Sequence, residues 1–328
     1  INDSEKKYSV ASTLTKQQIK TLPKWIKKDI KNFHIIGNTK KTLLSKSGKK
    51  YHLDNKLNDL SGAEWIYFLR SVINTRYPTS GPESYAHDIR KVHPTPKPPQ
   101  LMRDLISFFS KENEYVLDYF MGVGGTLLGA SLCNRKALGI DLNKKFINAY
   151  KKANAKLKLN EQTMIHGDSI EILKKRDSIK KYLGSKKFSI IIIDPPYGEM
   201  MSKMKTGEAI KQKQSTDPTP FTKSNRDLGN LEREEFYNTL IQSIDLSSQF
   251  LKDKGHFIIF TKDMQPKDGQ TNLLHSEIIE RVNKIKDINY LGMKIWADES
   301  INLYPYGYAH GYVSNQLHQY IMIFQKKS

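Results

Sequence analysis

From residue 114 onward the chain alternates between two patterns. Short apolar runs at residues 114–118, 137–141, 163–166 and 188–194 are bounded by polar or glycine-containing turns and predict strands. Between and before them, residues 100–109, 126–134, 143–157 and 169–182 repeat apolar positions at three- and four-residue spacing, which predicts helices. A helix over 232–251 and strands over 255–260, 288–296 and 318–325 complete the pattern. Strands and helices alternating at this spacing predict a doubly wound α/β sheet, mostly parallel, with helices on both faces. The last two strands are expected to form an antiparallel hairpin at one edge. The run Phe188-Ser189-Ile190-Ile191-Ile192-Ile193 has no polar alternation, as expected of a central strand buried on both sides.

The first 90 residues read differently. Residues 1–60 are lysine-rich and weakly periodic, with a short helix start at 22–26 and strand-and-turn signals at 34–38 and 47–53. Residues 61–73 predict an amphipathic helix, capped by Ser61 or Asp59, that packs on the following domain. Residues 77–92 are polar and turn-rich, a linker. The expected division is a basic arm over 1–90, in contact with DNA or docking a partner, and a catalytic domain over 91–328. Two later segments break the regularity. Residues 199–230 are long and polar, and are expected to form a mobile substrate loop. Residues 302–314 interleave tyrosine and glycine, so they either stack on bases or pack the hairpin onto the domain.

Chemistry gathers at the strand ends. Asp194-Pro195-Pro196-Tyr197 follows the central apolar run, at the carboxyl end where open α/β sheets bind ligands. Asp194 offers a carboxylate. The prolines remove two N–H groups and leave nearby carbonyls free to accept from an amine. Tyr197 offers a face for a planar base. A strand followed by a tight turn would also account for the tetrapeptide taken alone. Upstream, the 114–118 strand runs through Asp118-Tyr119-Phe120-Met121-Gly122-Val123-Gly124-Gly125-Thr126, a glycine turn that lets backbone approach a ligand. The next strand ends in Asp141-Leu142, and an acid there suits the two hydroxyls of a ribose. The third ends in Gly167-Asp168-Ser169. Before all of these lies His93-Pro94-Thr95-Pro96-Lys97-Pro98, either an extended proline-rich linker or a segment that fixes Lys97 to reach a carboxylate on the cofactor.

This set resembles the S-adenosylmethionine-dependent amino-methyltransferases that modify exocyclic nitrogens of DNA bases. That family carries a His-Pro-x-x-Lys-Pro segment, an Asp-x-Phe-x-Gly-x-Gly turn and an Asp-Pro-Pro-Tyr site, here His93 to Pro98, Asp118 to Gly124 and Asp194 to Tyr197. The family pattern usually has Pro after the first Asp and Ser-Gly-Thr in the turn; this chain has Tyr119 and Val123-Gly124-Gly125. The resemblance covers roughly residues 90–326. It implies a Rossmann-like, seven-stranded sheet of order 3-2-1-4-5-7-6 with a basic N-terminal appendage. It implies S-adenosylmethionine held by Thr95, Lys97, Asp118, Phe120, Gly122, Gly124, Gly125, Thr126, Asp141, Leu142 and Asp168, with Asp141 on the ribose and Asp168 on the adenine amine. Asp194, Pro195, Pro196 and Tyr197 would act on the acceptor. The implied reaction is methylation of adenine N6 in DNA, in a restriction-modification or related defence setting. The alternatives are N4-cytosine methylation, guanine-N2 methylation of transfer RNA, and an inactive nucleic-acid-binding subunit of the same fold.

Composition fits a polyanionic partner. The 328 residues carry 53 Lys and Arg against 34 Asp and Glu, a formal charge of +19; an AT-rich genome would produce the same lysine excess. The single cysteine, Cys133, excludes an intrachain disulfide framework and a cysteine-rich zinc site. The histidines lack metal-ligand spacing, so no metal is expected. No apolar run approaches membrane-spanning length and the first residues lack a signal-peptide core, so a cytoplasmic protein is expected. Because the appendage and loops are small for reading several base pairs, specificity is expected to come partly from a specificity subunit or a homodimer partner.

Overall fold

A computed structural model describes residues 7–197, 224–263, 273–303, 305, 309–312 and 314–328. The expected substrate loop lies largely outside the described residues, as do five positions of the tyrosine-rich segment.

The chain opens with a small antiparallel sheet of order β1-β2-β3-β4: β1 (Lys7–Ser9), β2 (Phe33–Ile36), β3 (Thr42–Ser45) and β4 (Lys50–His52). Tyr8, Ile35, Leu43 and Tyr51 stand side by side across it. With Val10, Leu22 and Ile26 from the short helices α1 (Val10–Thr13), α2 (Lys16–Thr21) and α3 (Lys24–Lys28) and the turn between them, they form a core of its own. Strand β3 is not among the expected elements. Thr42, Leu43 and Leu44 make too short a run to stand out from the lysines on either side.

The larger sheet has eight strands in the order β5-β11-β12-β10-β9-β6-β7-β8. They are β5 (Val72–Thr75), β6 (Tyr115–Asp118), β7 (Lys136–Asp141), β8 (Thr163–His166), β9 (Phe188–Ile193), β10 (Leu251–Thr261), β11 (Ile288–Asp298) and β12 (His318–Lys326). Strands β6 to β12 have the expected order 3-2-1-4-5-7-6, and β12 is antiparallel to both neighbours. The eighth strand is a correction. The pattern over 61–73 predicts one helix, but helix α4 (Gly62–Phe68) stops after two turns and β5 pairs parallel to the edge of β11. Ser61 and Glu64 close a capping box at its start. At its end the Lys294 ammonium donates to the carbonyls of Phe68 and, at 2.7 Å, of Arg70. A cation there favours termination, and β-branched Val72, Ile73 and Thr75 favour the free strand edge over more helix.

All six residues of β9 are buried. Side chains alternate across a strand, so Ile191 and Ile193 join one core and Ile190 and Ile192 the other. The first core is closed by α9 (Ser169–Lys175), α10 (Asp177–Leu183), α11 (Arg233–Ser248) and α12 (Leu274–Val282). The second is closed by α6 (Pro99–Phe109), α7 (Gly125–Leu132) and α8 (Lys144–Leu157), which follow the single turn α5 (His87–Arg90). Each buried isoleucine contributes about 1.5–3 kcal/mol of apolar burial. The expected helix over 169–182 is two helices, because Arg176 adopts a left-handed φ of 62°.

The small basic sheet docks at the end of the large sheet opposite the motifs. Lys24 pairs with Glu112 at 2.7 Å, the Glu112 N–H donates to Asp59 at 2.7 Å, and the Trp25 indole donates to the Asp59 carbonyl at 2.7 Å. Asn58 donates to the Phe108 carbonyl at 2.8 Å. These contacts surround the turn that enters β6, whereas the motifs leave from the strands' carboxyl ends. Among the described residues no helix is long and apolar enough to cross a membrane.

Candidate active site

The carboxyl ends of β6 to β9 surround a cavity of about 300 Å³. Its floor is Asp194-Pro195-Pro196-Tyr197, and all four residues line it. The Asp194 carboxylate is held from two sides. Lys97 Nζ lies 2.5 Å from Oδ2, and the Tyr197 hydroxyl donates to Oδ1 at 2.9 Å. Burial first, and the Asp194 charge second, push the Tyr197 phenol well above its ordinary value, so it stays a donor.

Lys97 does not line the cavity: its ammonium points at Asp194, with only 9% of the residue exposed. Arg90, 1% exposed, fixes the segment by donating to the Lys97 carbonyl at 2.9 Å and to the Tyr85 carbonyl at 3.0 Å. Pro98 then caps α6 and Pro99 occupies its first position, where a missing N–H costs nothing. The segment is thus a strap across the site and not a linker. Thr95 and His93 line the cavity. The Thr95 N–H donates to His93 Nδ1 at 3.1 Å, and burial pushes the imidazole down to about 4, so His93 is neutral.

The strap explains the unusual glycine turn. A Cβ on Gly125 would sit 2.7 Å from the Lys97 carbonyl oxygen, so the strap leaves no room for a side chain there. Gly124 combines a φ of +75° with a Cβ position 2.2 Å from the Tyr150 ring. Tyr119, where the family pattern has proline, is fully buried, and its hydroxyl lies 3.1 Å from Ser243 Oγ. It locks the turn to α11 by packing.

Asp118 accepts from Thr126 Oγ1 at 2.5 Å and from the Phe120 N–H at 3.0 Å. It shapes the turn from behind: Asp118, Gly124, Gly125 and Thr126 do not line the cavity, whereas Phe120 and Gly122 do. Asp141 and Leu142 line it as well. Asp141 accepts from the Gly122 and Asn143 N–H groups, both at 2.7 Å, which aims its carboxylate at the opening. Burial pushes both Asp118 and Asp141 up to about 7. Asp168 lines the cavity while one of its oxygens caps α9 through the Ile170 N–H at 2.9 Å.

Several cavity residues carry no motif in the sequence. Asn143 and Phe146 follow Asp141 and could have been found from that acid. Asp227 sits in the stretch that reads as loop. Lys262 follows β10, which pairs parallel to β9, and Gln319 stands at the start of β12, which only the antiparallel pairing to β10 brings to the site.

A cradle open along Phe120 and Gly122, with a carboxylate at the end of β7 and another at the end of β8, fits an adenosyl group joined to an amino acid. Sheet order, cradle and Asp-Pro-Pro-Tyr floor are laid out as in the Rossmann-like methyltransferase fold. Over part of its length the chain is similar to the DNA amino-methyltransferase family. A family profile described as DNA methylase matches residues 3–152, and a second, described as conserved hypothetical protein 95, matches residues 102–227. A type II methyltransferase of Lactococcus lactis subsp. cremoris, M2.LlaDCHI, is 42% identical over 60 residues, 18% of this chain and 22% of that protein. The tRNA (guanine(10)-N2)-dimethyltransferase of Methanocaldococcus jannaschii is 29% identical over 154 residues, 45% of this chain and 41% of that protein. The matches thus span well under half the length of these relatives. TrmN from Thermus thermophilus superposes with a TM-score of 0.46 at 13% identity, over 74% of this chain and 53% of that one.

Proposed function

We propose that this chain methylates the N6 amine of adenine in DNA, and that Asp194, Pro195, Pro196 and Tyr197 act directly on the acceptor. The observation that carries the reading is the Asp-Pro-Pro-Tyr floor in one cavity with Asp141. S-adenosylmethionine, when bound, supplies a methyl group already activated for in-line displacement. The protein's task is alignment and exclusion of water. The amine lone pair is delocalised into the ring, so the nitrogen is a poor nucleophile. Hydrogen bonds from the amine to Asp194 and to a backbone carbonyl beside Pro195 favour a pyramidal nitrogen and stabilise the charge that develops on it. Methyl transfer would form the N–C bond as the donor's S–C bond breaks to leave a neutral thioether, and the surplus amine proton would then pass to water. Tyr197 presents its ring to the base, which must be turned out of the duplex at a cost of a few kcal/mol. Asp141 accepts from the ribose hydroxyls of the donor, and Asp168 from its adenine amine.

Adenine is favoured over cytosine by the Asp at the first position of the tetrapeptide. Methylation of a guanine N2 amine in RNA is the second reading, favoured by the length of the alignment to the tRNA methyltransferase. Labelled methyl transfer to DNA and to RNA, followed by nucleoside mass spectrometry, separates them. N6-methyladenine in DNA is the expected product; N4-methylcytosine or N2-methylguanosine alone would reverse the assignment.

The basic N-terminal sheet is proposed to contact phosphates away from the extruded base, with specificity supplied partly by a partner subunit or a second copy. Replacing exposed Lys16, Lys20, Lys31 and Lys46 by glutamine should flatten the dependence of log affinity on log salt by about 0.9 for each phosphate that the protein no longer neutralises. An unchanged slope removes this sheet from the DNA path.

A further inference from the structure

Three buried side-chain oxygens among the described residues have no hydrogen-bond partner: Asn154 Oδ1, Thr261 Oγ1 and Gln319 Oε1. Asn154 and Thr261 do not line the cavity; Gln319 does. A buried, unsatisfied acceptor costs about 1–3 kcal/mol. A protein keeps such an atom at a cavity wall most readily where a ligand completes it. Gln319 stands at the start of β12, next to Tyr320, which pairs with Thr261 of β10. Strand β10 in turn pairs with β9, which leads into Asp194. Adjacent strands are about 4.8 Å apart, so Gln319 faces the Asp-Pro-Pro-Tyr floor from two strands away, on the order of 10 Å between backbones. One planar ring and the side chains that reach it from either side fill that gap. Lys262, at the end of β10, lines the same wall.

We propose that Gln319 is a base-positioning residue, whose side-chain amide hydrogen-bonds the ring edge of the base that has its amine at Asp194. The inference rests on the reading of the cavity as an amino-methyltransferase site. An amide offers two donors and an acceptor. A half-turn about the amide's last torsion puts the NH₂ group at the orphaned position, where it suits a bare ring nitrogen such as adenine N1. With the amine held at Asp194 and the ring edge at Gln319, two points fix the base in its plane while Tyr197 limits motion out of it. A base with a mismatched edge leaves the amide unpaired, which is how a buried polar group discriminates.

The test pairs a protein change with a substrate change. Gln319→Leu keeps the side chain's bulk and removes its polar atoms. It should lower kcat/KM for an oligonucleotide on the order of 10- to 100-fold, mainly through KM, while calorimetry shows S-adenosylmethionine affinity unchanged. Replacing N1 of the target adenine by CH should cost the wild-type protein a similar factor and cost Gln319→Leu almost nothing. Equal losses in both proteins, or an unaltered kcat/KM in Gln319→Leu, overturn the assignment of Gln319 and leave the methyltransferase reading standing. A wild-type protein that methylates no base amine overturns the reading itself, and the assignment falls with it.

Discussion

Replacing Asp194 by alanine is expected to slow methyl transfer by about 10²–10³-fold, the loss typical of a preorganised group that stabilises developing charge. S-adenosylmethionine affinity should be nearly unchanged, because the proposed donor contacts come from Asp141, Asp168 and the turn at Phe120 and Gly122. The geometry adds a second effect. Lys97, 9% exposed, has its ammonium 2.5 Å from Asp194, and the Tyr197 hydroxyl donates to the same carboxylate. Alanine leaves both donors facing a void, at a stability cost on the order of 3 kcal/mol. Asp194→Asn separates the two effects. It keeps the volume and one acceptor, so thermal unfolding should move less than in the alanine variant while transfer remains slow. Rates from labelled methyl incorporation, read beside the unfolding midpoint, distinguish chemistry from folding. Wild-type rates in Asp194→Ala would remove the carboxylate from the reaction.

The fold is legible in the sequence because its signal is local and repeated. Continuous apolar runs such as residues 188–193 mark buried parallel strands, and each is followed by a segment of helical period. The site's acids are legible for a related reason. A parallel sheet puts every strand's carboxyl end on one edge, so Asp118, Asp141 and Asp194 have to converge. Convergence alone does not say which acids reach the cavity. Asp118 is turned inward by Thr126 and Phe120, an arrangement set by packing. Lys97 stands out as a motif residue, but its partner does not, because its reach depends on Arg90 clamping the strap from behind. Strand β5 is hidden within an amphipathic pattern, since Val72 and Ile73 continue a helical stripe as well as they fit a sheet edge. Gln319 carries no signal: its neighbours in sequence are ordinary strand residues, and only pairing of β12 to β10 brings it to the cavity.

Replacing Asp141 by alanine is expected to weaken S-adenosylmethionine binding at least about 100-fold, the combined loss of two hydrogen bonds from ribose hydroxyls to a charged acceptor. The pH dependence gives a sharper test. Burial pushes the Asp141 carboxyl from 3.8 up to about 7. Between those values the folded, ligand-free protein holds a proton that the unfolded chain has released. The protein without its donor should therefore lose stability as pH rises from about 4 to about 7, and change little above that from this source. Binding has the opposite sign. The ribose hydroxyls donate and bond the ionised carboxylate more strongly than the protonated one, so affinity should fall as pH drops below about 7 and level off above it. Asp118 is an internal control, because burial pushes it up to about 7 as well, yet it does not line the cavity. Asp118→Asn should reduce the slope of stability against pH and leave the slope of affinity intact. Asp141→Asn should reduce the first and abolish the second. Calorimetric titrations between about pH 5.5 and 8, paired with unfolding over the same range, measure both slopes. Flat affinity in the wild-type protein, or an unchanged affinity in Asp141→Ala, would take Asp141 out of the donor site.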